Sequence, residues 1–433
     1  MRCLVTGAYG FIGGEVVAAL RREGATVIGC GRDLELARRV NPAIEWIACD
    51  FNTDVTPAHW TPRLAGIDVV VNCVGILQGN LRDDAERIHA DATIALLEAA
   101  AASGVRRIVH VSAVSAESAI PTAYARSKAK ADAALGRLDA NWLIVKPSLV
   151  IGRGAYGGTS LMRGLAGLPF VLPIPGEGRE RFQPIALDDL ARGIARLAAR
   201  TEPSCTTLNA AGPETVSLRQ ILLAYREWLG FGEACELIVP LPLLRLLLRL
   251  GDLAGFVGYV TSARSTSLVQ LSYDTLVDGT EFAVVCGKVK GFKETLAAWP
   301  ATLQDRLHAR SFFAVPLLQV TTALFWILTG VLTLTPASFA SATALLAGAG
   351  LDPTLAKAVV AGGAIADIVA GVLFLLPSWV RTAGVAQLLL SAVYLIGLSV
   401  VAPELWADHF GPLLKVLPMM AATLVVMAFQ EKR

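Results

Sequence analysis

Two hydrophobic periods alternate along the first third of the chain, and a third texture replaces them at its end. Up to about Ser148, short apolar runs rich in Val and Ile recur: "CLVTG", "ATVIGCG", "IEWIACD", "DVVVNCVG", "RIVHVSA" and "WLIVKPS", each bounded by Gly, Pro, Asp or Ser. Between them, "GEVVAALRREG", "ADATIALLEAAAASG" and "AYARSKAKADAALGRL" keep helical spacing. Near-continuous apolar strands alternating with helices predict a parallel sheet covered on both faces. Right-handed crossovers then order the connections into a doubly wound α/β domain of the Rossmann kind.

From Ile151 to about Pro300 the pattern loosens. "GRGAYGG" and "PIPGEGRERFQPI" are Gly/Pro-rich loops, and "LDDLARGIARLAAR" is a helix opened by two Asp residues. "LPLLRLLLRLGDLAGFVGYV" resembles a membrane span but is interrupted by Arg245, Arg249 and Asp252. With Arg245 and Arg249 four apart on one face, it predicts an amphipathic helix of a small substrate or lid region, able to touch a bilayer surface. After Arg310 the chain becomes membrane-like. Segments 312–334, 358–377, 382–403 and 411–430 each reach the roughly 20 apolar residues that a span needs. The expected organisation is an α/β domain over residues 1–300 and an all-α bundle of four transmembrane helices over 311–430.

Composition sharpens this division. Apolar residues make up 54% of the chain and charged residues 17%, against about a quarter charged in soluble domains, and mean hydropathy is +0.55. Residues 311–433 hold five basic and five acidic side chains, so the charge-poor part is the C-terminal one. A net charge of +2 with no basic run gives nucleic acid no electrostatic footing. The seven scattered cysteines form no C-x-x-C pair, so reduced, buried thiols are expected rather than a disulfide framework or a metal site. The N-terminus does not read as a signal peptide, because only Arg2 precedes an apolar run that breaks at Gly7. Arg306, Arg310, Arg381, Lys432 and Arg433 flank alternate span ends, while the third-to-fourth connection carries Glu404 and Asp408; Lys357 is the exception. That bias predicts a multi-pass protein of the inner (cytoplasmic) membrane with its N-terminal domain and C-terminus in the cytoplasm. Asp367, inside the second span, should face the bundle interior and pair with Gln319, Gln387, Ser391 or Lys415.

The candidate chemistry begins at Gly7, Gly10 and Gly13, a T-G-x-x-G-x-x-G turn leading from a strand into a helix. Gly7 permits the tight turn, Gly10 lets backbone approach a pyrophosphate, and Gly13 lets the helix pack closely. The helix N-terminus offers unpaired N–H groups to that phosphate. An NAD site places a carboxylate at the end of the second strand. Here Cys30 stands there and Arg32 follows, whose fork of donors suits a 2′-phosphate. NADP(H) is therefore expected, with Asp33 close enough to leave NAD(H) open.

In order along the chain, this turn, "CDF", "NCVG", "VSAVSA", "YARSK" and "KPSLVIGRG" resemble extended and atypical short-chain dehydrogenases/reductases over about residues 1–300. The nearest likeness is to the subgroup containing the NADPH-binding accessory subunit of respiratory complex I. The C-terminal part resembles DoxX-like membrane domains, on span number and "GGAIADIVAGVLF". The resemblance implies a dinucleotide held against Thr6, Gly7, Tyr9, Gly10, Phe11, Ile12 and Gly13, then Arg32, Asp50, Phe51, Asn72, Val74 and Gly75, and finally Tyr124, Lys128 and Pro147. It also implies a Ser112–Tyr124–Lys128 catalytic set.

The residues themselves support that chemistry. Hydride transfer to a carbonyl needs a proton donor near the developing alkoxide, and Tyr124 is a candidate. Lys128, four residues on, shares its helical face and would favour the phenolate. Ser112, at a strand end, would hydrogen-bond the substrate oxygen. One departure is His89, which stands where many relatives carry an Asn and is expected to be structural. The leading expectation is a membrane-anchored NAD(P)H-dependent oxidoreductase acting on a hydrophobic carbonyl or quinone-like substrate. The competing one is a non-catalytic NADPH-binding protein docked to a membrane respiratory or biosynthetic complex. A nucleotide-sugar epimerase or dehydratase stands third.

Overall fold

A computed structural model describes residues 1–80, 83–116, 120–256, 258–259 and 262–430. The chain divides into two compact units, Met1–Ala309 and Arg310–Arg433. In the first, the elements that build the sheet are β1 (Arg2–Thr6), α1 (Phe11–Arg22), β2 (Thr26–Gly31), α2 (Leu34–Val40), β3 (Glu45–Ala48), β4 (Val69–Asn72), α3 (Ala92–Ala102), β5 (Arg107–Val111), α4 (Ala123–Leu135), β6 (Trp142–Pro147) and β7 (Cys205–Ala210). All pairings are parallel, in the order β7-β6-β5-β4-β1-β2-β3.

All six apolar runs named above form strands. Their near-continuous hydrophobicity has a direct cause, since both faces of the sheet are buried. Cys3 and Val5 of β1 pack with Val16, Val17 and Leu20 of α1, while Leu4 joins Val70, Leu96 and Leu97 on the other side. The seventh strand, "CTTLNA", was not foreseen. It is an edge strand with only Leu208 and Ala210 buried, so it lacks the apolar run that marked the others. The strand order reverses between β1 and β4, which opens a crevice at their C-terminal ends, the position where doubly wound sheets bind ligands.

The smaller region has its own core, in which Met162, Leu172, Ile174, Leu222, Tyr225 and Phe292 meet. A strand at Val171–Pro175 pairs in parallel with one at Cys235–Val239. Two helices follow, α5 (Leu241–Phe256) and α6 (Ser265–Leu271). The cysteines are free thiols; Cys205 and Cys235 are exposed rather than buried as expected.

The C-terminal helices are α7 (Leu303–Thr333), α8 (Pro336–Gly348), α9 (Pro353–Phe374), α10 (Val380–Val401) and α11 (Val416–Phe429). α7, α9 and α10 are long and apolar enough to cross a membrane. The fourth expected span is shorter. A turn occupies 412–415 and only 14 residues are helical in α11, about 21 Å against a hydrocarbon core of about 30 Å. α8, between the first two spans, was not anticipated.

Within the second unit, small residues allow close helix contact. A Cβ on Gly330 would lie 2.4 Å from the Ala364 carbonyl, and one on Gly371 would lie 2.8 Å from that of Ala323. Polar side chains tie the same helices together. Gln319 Nε2 donates to the Phe374 carbonyl at 2.7 Å, and Thr423 Oγ1 donates to Gln387 Oε1 at 3.1 Å. Asp367 is buried as expected, but its partner is Tyr394, whose Oη donates at 2.8 Å, in place of the four residues proposed from sequence. Arg381 donates to the Gln430 carbonyl at 2.7 Å, bringing the start of α10 and the end of α11 to one level. Lys432 and Arg433, used above for orientation, lie outside the described residues.

Candidate functional site

The crevice is floored by the glycine turn. Gly7 adopts φ +65°, which L side chains rarely take, and a Cβ there would meet the Cys73 carbonyl at 3.1 Å. A Cβ on Gly13 would lie 2.1 Å from the Gly7 carbonyl oxygen, so only glycine lets α1 start this close beneath the turn. At Gly10 the nearest atom to such a Cβ is the same oxygen, at 3.1 Å, a much milder clash. Gly10 N–H closes the turn onto the Gly7 carbonyl at 2.8 Å. Gly10 is also the N-cap of α1 and has no side chain to satisfy the first N–H groups, which leaves them for an anion. The turn is thus a cradle that added Cβ atoms would distort, and it fits a pyrophosphate.

Not every expected residue faces this crevice. Thr6 and Asn72 are fully buried and bonded to each other, Thr6 Oγ1 donating to Asn72 Oδ1 at 2.6 Å. They clamp β1 to β4, and Asn72 Oδ1 also accepts from Val74 N–H at 3.2 Å, which shapes the loop after β4. Tyr9 lies across the end of β2: a Cβ on Gly31 would meet its ring at 2.2 Å. Phe11 stacks on Tyr156 at 5.8 Å. Phe51 is buried against Trp60, and Pro147 is buried at the end of β6. Ile12 is half-buried against the first core layer.

At the far end of β2, Arg32 Nη1 donates to Asp83 Oδ1 at 2.6 Å, and its side chain is 52% exposed. The Asp83 carboxyl, also bonded by Asn52 and Asn80, is held below its usual value, against the opposing effect of its own burial. Asp50 accepts from Asn52 N–H at 2.9 Å. Asp33 is occupied as the N-cap of α2, accepting from Leu36 N–H at 2.9 Å. Its carboxylate is therefore committed to the helix, which weakens it as a ribose ligand.

Tyr124, Ser127, Lys128 and Asp132 share one face of α4. Thr122 caps that helix, accepting from Ala125 N–H at 3.2 Å. Lys128 is 3% exposed, and its ammonium donates to the carbonyls of Val74 (3.2 Å), in the loop just after β4, and Val111 (2.9 Å), at the end of β5. A Cβ on Gly75 would lie 3.4 Å from its Nζ. Burial pulls Lys128 down to about 8, with Asp132 opposing. Burial also pushes Tyr124 up to about 12, and the Asp132 charge adds to this. Tyr124 is half-buried, and in the chain alone these two effects favour its phenol form.

His89 sits edge-on to Tyr124, ring centres 5.3 Å apart, in the π-helical turn Arg87–Asp91 that precedes α3. Its Nε2 accepts from Ile76 N–H at 2.9 Å, which places the ring proton on Nδ1, 2.9 Å from Ser127 Oγ. Ser127 Oγ in turn donates to the Tyr124 carbonyl at 3.1 Å. Burial, then Lys128, keep the ring neutral. Both nitrogens are engaged, Nε2 by the loop after β4 and Nδ1 by Ser127 of α4.

Beneath the site runs a polar string that sequence reasoning missed. Ser112 Oγ donates to Asp132 Oδ2 at 2.8 Å, and Lys146 Nζ approaches the same oxygen at 3.2 Å. Asp132 Oδ1 faces His110 Nε2 at 3.5 Å, and His110 Nδ1 accepts from Asn72 Nδ2 at 3.1 Å. The string therefore connects Thr6, beside the glycine turn, to Ser112. Its signal was present in the chain: Asp132 is four residues after Lys128 and eight after Tyr124, on the same helical face.

Comparison with known proteins identifies both parts of the chain. Residues 7–164 match the NAD(P)H-binding family, and residues 323–424 match the DoxX-like family. The chain joins an NAD(P)H-binding Rossmann domain to a DoxX-like domain. A protein of Caulobacter vibrioides named ceramide reductase is 31% identical over 191 residues, covering 43% of this chain and 57% of that protein. The mitochondrial NADH dehydrogenase [ubiquinone] 1 alpha subcomplex subunit 9 of Rattus norvegicus is 26% identical over 255 residues, covering 56% of this chain and 64% of its own length. The chain thus spans less than two thirds of each of these relatives. Among solved structures, a triphenylmethane reductase from Citrobacter sp., complexed with NADP(H), is 17% identical with a TM-score of 0.54, covering 69% of this chain and 99% of that one. That likeness speaks for the fold of the NAD(P)H-binding domain.

Proposed function

We propose that the protein is a membrane-anchored, NAD(P)H-dependent reductase of a carbonyl or quinone-like, membrane-associated substrate. The observation that carries this reading is Lys128 held by the loop after β4 and the end of β5, one helical turn from Tyr124, at the mouth of a dinucleotide cradle. The cofactor would lie against Gly7, Gly10 and Gly13, with Lys128 and Gly75 at its other end. When bound, it supplies a hydride. Tyr124 provides the proton for the oxygen that becomes an alkoxide; a phenol raised to about 12 gives it up only to such a strong base. Lys128 places a positive charge beside that exchange. Ser112 would orient the oxygen once its hydroxyl turns from Asp132, to which it donates in this structure. The test is NADPH oxidation by the detergent-purified chain against quinones, prenyl carbonyls and long-chain lipid carbonyls, with ceramide-type lipids included because of the relative so named. No turnover above the cofactor's background rate on any of them would remove the reading.

A second reading has a specific observation in its favour. Ser112 is bonded to Asp132, and His89 is spent on structure, so the pocket would serve a protein that only holds NADPH while docking to a respiratory or biosynthetic membrane complex. The relative among the complex I subunits points the same way. An epimerase or dehydratase role rests on fold likeness alone.

NADP(H) is proposed over NAD(H). The Arg32 fork has five N–H donors, and Asp83 takes one of them. Arg32→Ala should weaken NADPH binding roughly 10- to 100-fold, the loss of hydrogen bonds to a charged group, and leave NADH unchanged. Fluorescence titration of both cofactors checks this; an unchanged ratio would exclude Arg32 as the selector. Asp83→Ala, which frees the guanidinium, should shift the ratio further toward NADPH.

For placement, we infer an inner-membrane protein with both termini cytoplasmic. Arg381 and the end of α11 share one level, and the basic flanks favour the cytoplasm there. Reporter fusions after Gln430 and beside Glu404 should be active on opposite sides. A fusion after Gln430 active only outside the cytoplasm contradicts the placement.

A further inference from the structure

Helix α5 has two apolar faces, and only one is packed against protein. Leu248 is buried on the inner face. Beside it, a Cβ on Gly251 would lie 1.8 Å from the Ala263 carbonyl oxygen, and one on Gly255 would lie 2.7 Å from the Arg264 guanidinium carbon. These glycines let α5 lie flush on the segment that leads into α6. On the opposite face Leu243, Leu246, Leu247, Leu250 and Leu253 are 50%, 60%, 51%, 66% and 62% exposed. At 3.6 residues per turn they cover about 120° of the helix. Arg249 and Arg245 are exposed on one side of this stripe, about 40° and 80° beyond its edge. Among the described residues no carboxylate pairs with either; Asp252 is engaged by Arg264 at 3.3 Å.

Water is a poor solvent for such a face, and contiguous exposed apolar surface marks an interaction site. The chain itself supplies the partner. Among the described residues three helices are long and apolar enough to cross a membrane, which would tether this unit to a bilayer. α5 cannot be a further span, having 16 residues interrupted by Arg245, Arg249 and Asp252. An apolar stripe with arginines on one side is what a helix lying in the headgroup layer requires: leucines among acyl chains, guanidinium groups reaching back to lipid phosphates.

We propose that α5 docks in the surface layer of the membrane that holds the C-terminal helices, with its leucine face inserted and Arg245 and Arg249 on anionic headgroups. The contact leads directly to the candidate site. Arg264 donates to the Gly79 carbonyl at 2.7 Å, and Gln78 Nε2 donates to Ser267 Oγ at 2.8 Å, so α6 closes on the loop after β4. Gln270 Nε2 donates to Thr122 Oγ1 at 2.7 Å, on the cap of the helix that carries Tyr124. The α5–α6 segment therefore bridges the lipid surface and the proposed catalytic tyrosine, which gives an amphiphile resident in the bilayer a short way in. This last consequence rests on the reductase reading; the docking does not.

The test uses the full chain in nanodiscs of phosphatidylethanolamine and phosphatidylglycerol. In a Cys205→Ser, Cys235→Ser background, a spin label is placed at Leu250→Cys and, for comparison, at Arg38→Cys on α2. The Leu250 site should be accessible to oxygen and shielded from a water-soluble nickel chelate, with a ratio several-fold above that at Arg38. A label open to the nickel chelate would mean that the face meets water, and a label shielded from both reagents would mean that protein covers it; either overturns the proposal. In the same nanodiscs, Leu246→Glu with Leu250→Glu should raise KM for a long-chain carbonyl several-fold and leave a water-soluble carbonyl unaffected. If no carbonyl is turned over, the reductase reading falls, and the accessibility ratio still decides the docking.

Discussion

Tyr124→Phe is expected to lower kcat by about 10²–10⁴-fold, the usual worth of general acid–base catalysis, while NADPH affinity stays within a few-fold. The substitution removes one hydroxyl and leaves the ring that packs edge-on to His89, so neither the loop after β4 nor the Lys128 bonds should change. Lys128→Met is expected to lower kcat and cofactor affinity together, because its ammonium joins the loop after β4 to the end of β5 at the cradle's mouth. Burial has already pulled Lys128 down to about 8. Its charge is thus mostly present at neutral pH and is lost as pH rises through that value. The wild-type rate should fall above about pH 8, and Lys128→Met should flatten that limb. Stopped-flow absorbance of NADPH across pH 6–10 would read all three. Tyr124→Phe with unchanged turnover would discard the enzyme and keep the binding protein.

How much of this was legible depends on what each feature asks of the chain. Strands buried on both faces must be apolar throughout, so β1, β2 and β4 to β6 announced themselves; β3, at the opposite edge with only Trp46 buried, was read from its short apolar run. β7 lies at an edge and is half polar, and it did not. The glycine turn was readable because close backbone approach leaves no other residue at Gly13. Arg32 was read as a phosphate ligand, but its bond to Asp83 joins residues 51 apart in the chain, beyond any local pattern. The same holds for Asn72, His110 and Asp132, which three separate elements bring into one string. Asp367 was rightly placed inside the bundle, but its partner depended on how α9 and α10 face each other, and Tyr394 was passed over. The fourth span was overestimated because hydropathy counts residues and does not detect the turn at 412–415.

Gly13→Ala and Gly10→Val should fail in different ways, and the difference separates architecture from binding. The Gly13 Cβ would sit 2.1 Å from one backbone atom and 2.7 Å from another, both in the Gly7 peptide. Neither can swing aside as a side chain would, so α1 or the turn must move. Overpacking of this kind costs about 1–3 kcal/mol, and with backbone on both sides of the clash the upper end applies, lowering the Tm of this unit by roughly 3–5 °C. Gly10 is looser: its nearest neighbour, at 3.1 Å, need yield only slightly for the first methyl. The remaining bulk of a valine projects at the start of α1, over the N–H groups that an anion would use. Gly10→Val should therefore fold with a Tm close to wild type and respond differently to cofactor. Wild type in NADPH at about 100 times its Kd gains about 2.7 kcal/mol by mass action, and Gly10→Val should gain none. Differential scanning fluorimetry with and without NADPH would read both variants in one experiment. A Gly10→Val chain that NADPH still stabilises would move the pyrophosphate away from this turn. A Gly13→Ala chain that melts with wild type would show that α1 does not need its close start.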